Sequence, residues 1–427
     1  MMNWQTRLKE MTVAIDESLV QAMPVSAPVS KRRFYAPELD ALRFGAFMLV
    51  FLRHISTSYG LARQSRMVAA GPVAATAGVS HASSSSLPPM LGIAQGVFQS
   101  FDFGVCLFFF LSSFLITRLL LIERDSTGKI AVRDFYIRRS LRIWPLYFAF
   151  LAFIAVSSRF VPILGVSSSR LIASAFFVSN WAAVLYGWAS MAIQPLWSVS
   201  VEEQFYLVWP LCAQAGRKAI IAISAICIIV SLGTLVYFGC HKGTIVSQIW
   251  PNTLTQSLFF AGGALTALFS FPERRRLGIT ARLGLACAGF SCWLLASMVF
   301  HVVRTISPGP ISLVAGYLFV LLGTFLLFSS VAGWSGTRVP NWLIQLGRMS
   351  YGLYVFHISA LLVTEHSGVA LMGHLNRPNV SLSITQGINA AFALLLTVVC
   401  AVISYNMLEL PFLQLKKRFT LIPSRPE

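Results

Sequence analysis

The chain has 427 residues, of which 56% are hydrophobic and only 11% charged, with a formal net charge of +18. Soluble domains carry roughly a quarter charged residues, so these figures, with a mean hydropathy of +0.71, exclude an ordinary soluble protein. The basic excess would suit a nucleic-acid partner, but Lys and Arg gather at the ends of apolar runs, the pattern of cytoplasmic anchors, and that partner is excluded too.

Apolar runs able to cross a ~30 Å hydrocarbon core recur from Ala41 to Leu410. Lipid offers no water to an open backbone, so the expected fold is all-α, a polytopic bundle of transmembrane helices. In chain order, residues 1–33 form a polar tail without a signal-peptide core, closing on Lys31-Arg32-Arg33. About ten spans follow, near 41–60, 97–122, 143–161, 196–215, 217–238, 253–271, 281–303, 310–333, 349–371 and 384–409. The apolar run 170–187 is ambiguous. Counting it as a crossing would put Arg274-Arg275-Arg276 and Lys416-Lys417-Arg418 outside. Treated as interfacial or re-entrant, it leaves both clusters, Arg217-Lys218 and both termini in the cytoplasm. The loop 61–92, rich in Ser, Ala and Gly, then lies outside. The chain divides into the tail 1–33, one membrane domain 34–413 and a C-terminal tail 414–427. Trp144, Trp209, Trp250 and Trp342, near segment ends, read as an aromatic belt.

The first span holds two costly residues, Arg43 and His54. Eleven helical steps return to within roughly 20° of the same face and rise roughly 16 Å. Ionisable groups at such depth usually line a polar cavity. An imidazole near its free pKa of ~6.5 can take a hydroxyl proton, whereas a guanidinium, always charged, suits an anion. Arg53, beside His54, points elsewhere and reads as an interfacial residue. Glu38 and Asp40 suit the first turn of the helix electrostatically.

Arg139 and Arg142 are three apart at the inner end of the third span, neighbours on one face that suit a phosphate-bearing ligand as well as plain anchoring. The fourth span opens from the outer side with Trp197-Ser198-Val199-Ser200-Val201-Glu202-Glu203-Gln204-Phe205-Tyr206. Adjacent glutamates point about 100° apart, so one of Glu202 and Glu203 faces a cavity, where it could orient His54 or bind a sugar hydroxyl. His357, two turns into the ninth span, reads as a structural hydrogen bond or a cavity residue. The seven cysteines form no CxxC pair, and neither a metal site nor a disulfide scaffold is expected.

Taken together, these motifs resemble the acyltransferase-3 family of bacterial membrane O-acyltransferases. The resemblance runs from about Phe34 to Phe412. It rests on Pro37-Glu38-Leu39-Asp40-x-Leu42-Arg43 followed by His54, Phe108 to Ile116, Arg139-x-x-Arg142, the Trp197–Tyr206 segment, Ser350-Tyr351-Gly352-Leu353-Tyr354-x-Phe356-His357 and Glu409-x-Pro411-Phe412. Cys106 departs from the pattern, standing where members commonly have Asp, and Ser113 stands where Gly is usual. Asp102, one turn from Cys106, is a candidate substitute for the missing carboxylate.

The resemblance implies a multi-pass protein of the bacterial inner membrane, with no bound cofactor. Acyl-coenzyme A, most often acetyl-CoA, is the implied cytoplasmic co-substrate, and a hydroxyl of a glycan or lipid-linked saccharide on the outer side the acceptor. It implies His54 as general base with Glu202 or Glu203 orienting the hydroxyl. Arg139 and Arg142 would hold the donor's phosphates, Arg43 would lie along the acyl path, and Ser198, Ser200, Tyr206, His357 and Asp102 would contribute to the cavity. Direct transfer and a covalent intermediate both stay open. A small hydroxylated metabolite of macrolide type is an alternative acceptor, and a transporter or flippase is the alternative of another class, though no repeated halves are visible.

Overall fold

A computed structural model of the chain describes residues 35–69, 89–241, 243–269, 277–303, 306–334, 339–374 and 382–420. The N-terminal tail, Lys31-Arg32-Arg33, most of the loop 61–92, Arg274-Arg275-Arg276 and the last seven residues lie outside the described ones. The fold is an all-helical membrane bundle: among the described residues the only strand-like pairing is one bridge between Ile245 and Ile306.

Among the described residues six helices are long and apolar enough to cross a membrane, where the sequence predicts about ten spans. The remaining four are α1 (Pro37–Ala69), which carries Arg43, Arg53 and His54, α7 (Leu196–Gln214), which carries Glu202 and Glu203, the 17-residue α9 (Thr253–Phe269), and a bent pair. That pair, α12 (Asn341–Arg348) and α13 (Ser350–His374), turns by 72° and gives a seventh span if taken as one. Three of the four bear the polar groups of the interior, whose charges lower their apolarity.

The rod Ile93–Thr127 is central. It joins α2 (Pro89–Ser100), a single 3₁₀ turn and α3 (Gly104–Thr127), and 72% of its apolar stretch is buried, against 17% for the segment 386–419 at the periphery. Close backbone approach sets its neighbours, since without a hydrophobic drive in lipid small residues let helices pack tightly. Gly263 of α9 sits directly on the carbonyl of Phe110, leaving no room for a Cβ. Beside it the buried hydroxyl of Ser113 donates to Phe260 O at 2.5 Å, so the serine at this position links α3 to α9. Gly347 lies equally close to the backbone of Asp40, seating α12 against the start of α1, where Pro37 occupies the first helical position.

The ambiguous run 170–187 resolves into two eight-residue helices, α5 (Ser168–Ala175) and α6 (Ser179–Tyr186). Each is about 12 Å long at 1.5 Å per residue, too short to cross. Phe177 joins them at a φ of 55°, a left-handed conformation that is rare for a bulky residue and is held here from several sides. Its ring stacks with Trp144 and packs 4.6 Å from Tyr147, and its carbonyl accepts Gln204 Nε2 at 2.9 Å.

Candidate functional site

Helix α7 distributes one motif over several faces. Residues four apart share a face, so Ser198, Glu202 and Tyr206 form one row while Ser200 and Gln204 form another. The first row faces a cavity of about 90 Å³ that also takes Arg43 from α1, Ser112 from α3, and Arg139 and Arg142 from α4 (Val132–Ser157). Glu202 is held at both oxygens, by Ser112 Oγ at 2.7 Å and Tyr206 OH at 2.9 Å. The Arg139 guanidinium lies 5.0 Å over the Tyr206 ring and 5.7 Å over Phe135. Arg142 donates to the carbonyl of Arg348 at 3.4 Å, and Arg43 pairs with Asp40 at 3.5 Å. Among the described residues, neither Arg139 nor Arg142 forms an ion pair with a carboxylate. Glu202 and Glu203 act on Arg139, and Glu409 on Arg142, only at longer range than an ion pair, so both guanidiniums keep hydrogens for an anionic ligand in this basic cavity.

The second row of α7 does different work. Ser200 pairs with Ser179 at 2.8 Å, and Gln204 donates from Nε2 to Asn180 Oδ1 at 2.9 Å and accepts at Oε1 from Thr253 Oγ1 at 2.6 Å. These bonds pin the broken helix pair against the bundle. Ser200, expected as a cavity residue, lines neither main cavity, because the rotation of α7 turns it to α6. Glu203 points in a third direction, accepting from Trp144 Nε1 at 3.3 Å.

A second cavity, of about 170 Å³, is lined by Arg53, His54, Asp102, Gln194, Trp188, Trp197 and Trp250. Here His54 Nδ1 lies 2.8 Å from Val50 O. A carbonyl can only accept, so Nδ1 carries a hydrogen, and in the neutral ring the lone pair is then on Nε2. His357 Nε2 approaches the same Nδ1 at 3.4 Å. Neither Glu202 nor Glu203 bonds to His54. The expectation that a glutamate orients this base is therefore corrected: Glu202 belongs to the basic cavity and Glu203 to Trp144, whereas the neighbours of His54 are Val50 and His357. Val105 and Tyr354 line both cavities and form their common wall, with Tyr354 OH bonded to Ser198 Oγ at 2.8 Å.

Arg53 also differs from expectation. It pairs with Asp102 at 3.0 Å and lines the cavity of His54 instead of sitting at an interface. The signal was available, since an Arg and an Asp each set in an apolar segment usually find one another. Asp102 accordingly serves Arg53, and Cys106 is fully buried, 4.0 Å from Gln256 Oε1. Trp250 lines this cavity and buried Trp209 bonds Thr117 Oγ1 at 2.8 Å, so neither is part of a lipid-facing belt. Ser112, Tyr351 and Tyr354 stand in the family-like motifs of the sequence without an assigned role; that they line the basic cavity is visible only once the helix rotations are known.

The all-helical membrane bundle thus encloses two adjoining cavities, one lined by Arg139 and Arg142 and the other by His54. A family model described as an acyltransferase domain matches residues 37–406, and the chain belongs to this acyltransferase-3 family. It is similar to the peptidoglycan O-acetyltransferase OatA of Listeria monocytogenes, 24% identical over 330 residues, covering 72% of this chain and 50% of that protein. It is 25% identical over 339 residues to YrhL of Bacillus subtilis, provisionally named for the same activity, again over 72% and 50% of the two chains. A provisionally named O-acetyltransferase of Staphylococcus aureus strain COL is 27% identical over 281 residues, 60% of this chain and 46% of the relative. The chain thus spans about half the length of the curated relatives it matches. No solved structure matches it.

Proposed function

We propose that the protein is an inner-membrane O-acetyltransferase that moves an acetyl group from acetyl-CoA, entering from the cytoplasm, to a hydroxyl of a cell-wall glycan on the outer side. The observation that carries this reading is the pair of cavities on the two ends of one α1 face, with Arg43 lining one and His54 the other. Arg139 and Arg142, lacking carboxylate contacts, hold donor phosphates at the basic end. Cavities of 90 and 170 Å³ are smaller than the ~300 Å³ of sites that enclose a whole drug-sized ligand, and fit the reactive ends of two longer substrates.

At the other end Trp188, Trp197 and Trp250, with rings 6.2 Å apart in sequence, offer faces on which the apolar side of a sugar ring can lie, and Gln194 offers a polar partner. The peptidoglycan named for the relatives makes a glycan the favoured acceptor over a small metabolite. In the reaction, His54 Nε2 takes the acceptor's hydroxyl proton as its oxygen attacks the thioester carbon. The carbon–sulfur bond then breaks and the coenzyme leaves as a thiol, taking the proton back from the imidazolium. Among the described residues the side-chain hydroxyl lining the cavity of His54 is that of Tyr354, which is bonded to Ser198 Oγ.

The test is mass spectrometry of cell-wall glycan from cells carrying wild type or His54→Ala. Loss of O-acetyl groups in the variant is expected. Equal acetylation would overturn the proposal, and acetylation unchanged by deletion of the whole protein would redirect it to a small-molecule acceptor.

A further inference from the structure

His357 is fully buried, and both of its ring nitrogens are engaged. Its Nδ1 lies 2.6 Å from the carbonyl of Tyr354, so that nitrogen carries hydrogen and donates. In the neutral ring the other nitrogen, Nε2, then holds a lone pair, and it is this atom that faces His54 Nδ1–H at 3.4 Å. The two rings meet edge to face, 5.1 Å apart at 70°, the geometry in which an N–H on one ring can aim at an in-plane lone pair on the other. The His54 Nδ1 hydrogen thus has both Val50 O and this second imidazole within reach, and among the described residues the Nε2 of His54 has no hydrogen-bond partner.

We infer that His357 is a positioning residue for His54, fixing its tautomer and ring orientation and stabilising the charge it gains as it takes the acceptor's proton. This rests on the acyl-transfer reading above. A base oriented by a third group recurs in nucleophilic sites, where a carboxylate usually fills the place. Here the orienting group is neutral. A carboxylate buried in lipid beside an uncharged ring would be costly when no proton is in transit, whereas a neutral imidazole adds no charge to the resting site and still offers a lone pair when His54 becomes cationic. The carbonyl of Tyr354 that fixes His357 belongs to the residue whose side chain separates the two cavities, so the orientation of the base is tied to the wall across which the acyl group passes.

A packing role alone would also bury the ring, since His357 lies edge-on to Phe47 at 5.9 Å, and the test separates the two. The full chain in nanodiscs is assayed with acetyl-CoA and muramyl glycan oligomers, reading release of the coenzyme thiol. His357→Phe keeps the volume and removes the lone pair; kcat should fall about 10- to 100-fold, the range typical of lost orienting partners, with KM for either substrate changed by about twofold or less. His357→Gln sets an amide oxygen where Nε2 stands and should restore kcat to within about threefold of wild type. His357→Asn keeps an amide N–H for Tyr354 O but withdraws the group facing His54, and should lose as much as Phe, which keeps the question open to measurement if the Phe variant does not fold. Wild-type kcat in the Phe or Asn variant, or a Gln variant as slow as they are, would overturn the assignment. Wild-type protein that releases no thiol with these substrates would overturn the acyl-transfer reading itself.

Discussion

The two cavities share Val105 and Tyr354 as a wall but are built from opposite materials. The basic one gathers three guanidiniums, of which, among the described residues, only Arg43 is in ion-pair contact, at 3.5 Å, and the carboxylate lining it, Glu202, is taken up by Ser112 and Tyr206. The histidine cavity has its charges matched, Arg53 with Asp102 at 3.0 Å, with His54 beside them. Under the proposed function the first chamber would be completed by the donor's phosphates and the second would receive the acceptor hydroxyl and its proton. Charge within a membrane is expensive, and the two ends differ in how closely theirs is paired.

The most severe test of that division is His54→Ala. Losing a positioned general base costs about 10²- to 10⁴-fold in rate, so acetyl transfer should drop into that range while the affinity for acetyl-CoA, measured by calorimetry in nanodiscs, stays at the wild-type value. A parallel loss of donor affinity would mean that the chambers are not separate in function. Next in size is Arg139→Leu. Hydrogen bonds to charged groups are worth about 1.5–3 kcal/mol, or roughly 10- to 150-fold in an equilibrium constant, and here the loss should fall on the KM for acetyl-CoA and leave the KM for the glycan unmoved. Arg139→Lys should recover only part of it, because an ammonium lacks the planar fork that engages phosphate oxygens in pairs.

Much of this arrangement is readable from residue types and spacing. Arg43 and His54 fall on one face because eleven steps nearly complete whole turns, and the structure sets them in the two chambers. Arg139 and Arg142 share a cavity because they are three apart. What the sequence withholds is rotation. The segment Trp197–Tyr206 shows that Ser198, Glu202 and Tyr206 form one row and Ser200 and Gln204 another, but not which row turns inward; only the packing of α7 against α3 and α6, seen in the bonds to Ser112 and Ser179, decides it. Depth is similarly hidden. Glu202 lies near the start of an outer-opening segment and was grouped with His54, but the chambers meet at Tyr354, and α7 passes the wall between them within one turn. Arg53 illustrates a third limit: two charges in apolar segments suggest a pairing, but its partner Asp102 is 49 residues away, and which helices meet is decided by packing.

Arg53→Leu probes the balance of charge in the histidine chamber. Both partners are less than a quarter exposed, and removing one leaves the other desolvated without its counter-ion, at about 1–3 kcal/mol. A lower melting temperature is expected in Arg53→Leu and in Asp102→Leu alike, with the double variant more stable than either single one, because replacing both members of such a pair is often close to neutral. Additive losses in the double variant would show that each residue has a further partner in the cavity and that the chamber is not self-compensated.

The smallest effect falls on the two serines of α7, which differ by two positions and by everything around them. Ser200→Ala removes the bond to Ser179 and should cost about 0.5–1.5 kcal/mol of stability, with acetyl transfer altered by about twofold or less, since Ser200 faces the broken helix pair. Ser198→Ala frees the hydroxyl of Tyr354 and should cost a similar amount in stability, but here the turnover number should change as well, because the freed ring stands between the chambers. Measured side by side, equal stability losses with unequal turnover would separate the row of α7 that holds the fold from the row that faces the chemistry; equal turnover in both variants would mean that the wall at Tyr354 is set by packing against Phe108 and His357 and owes nothing to its hydrogen bond.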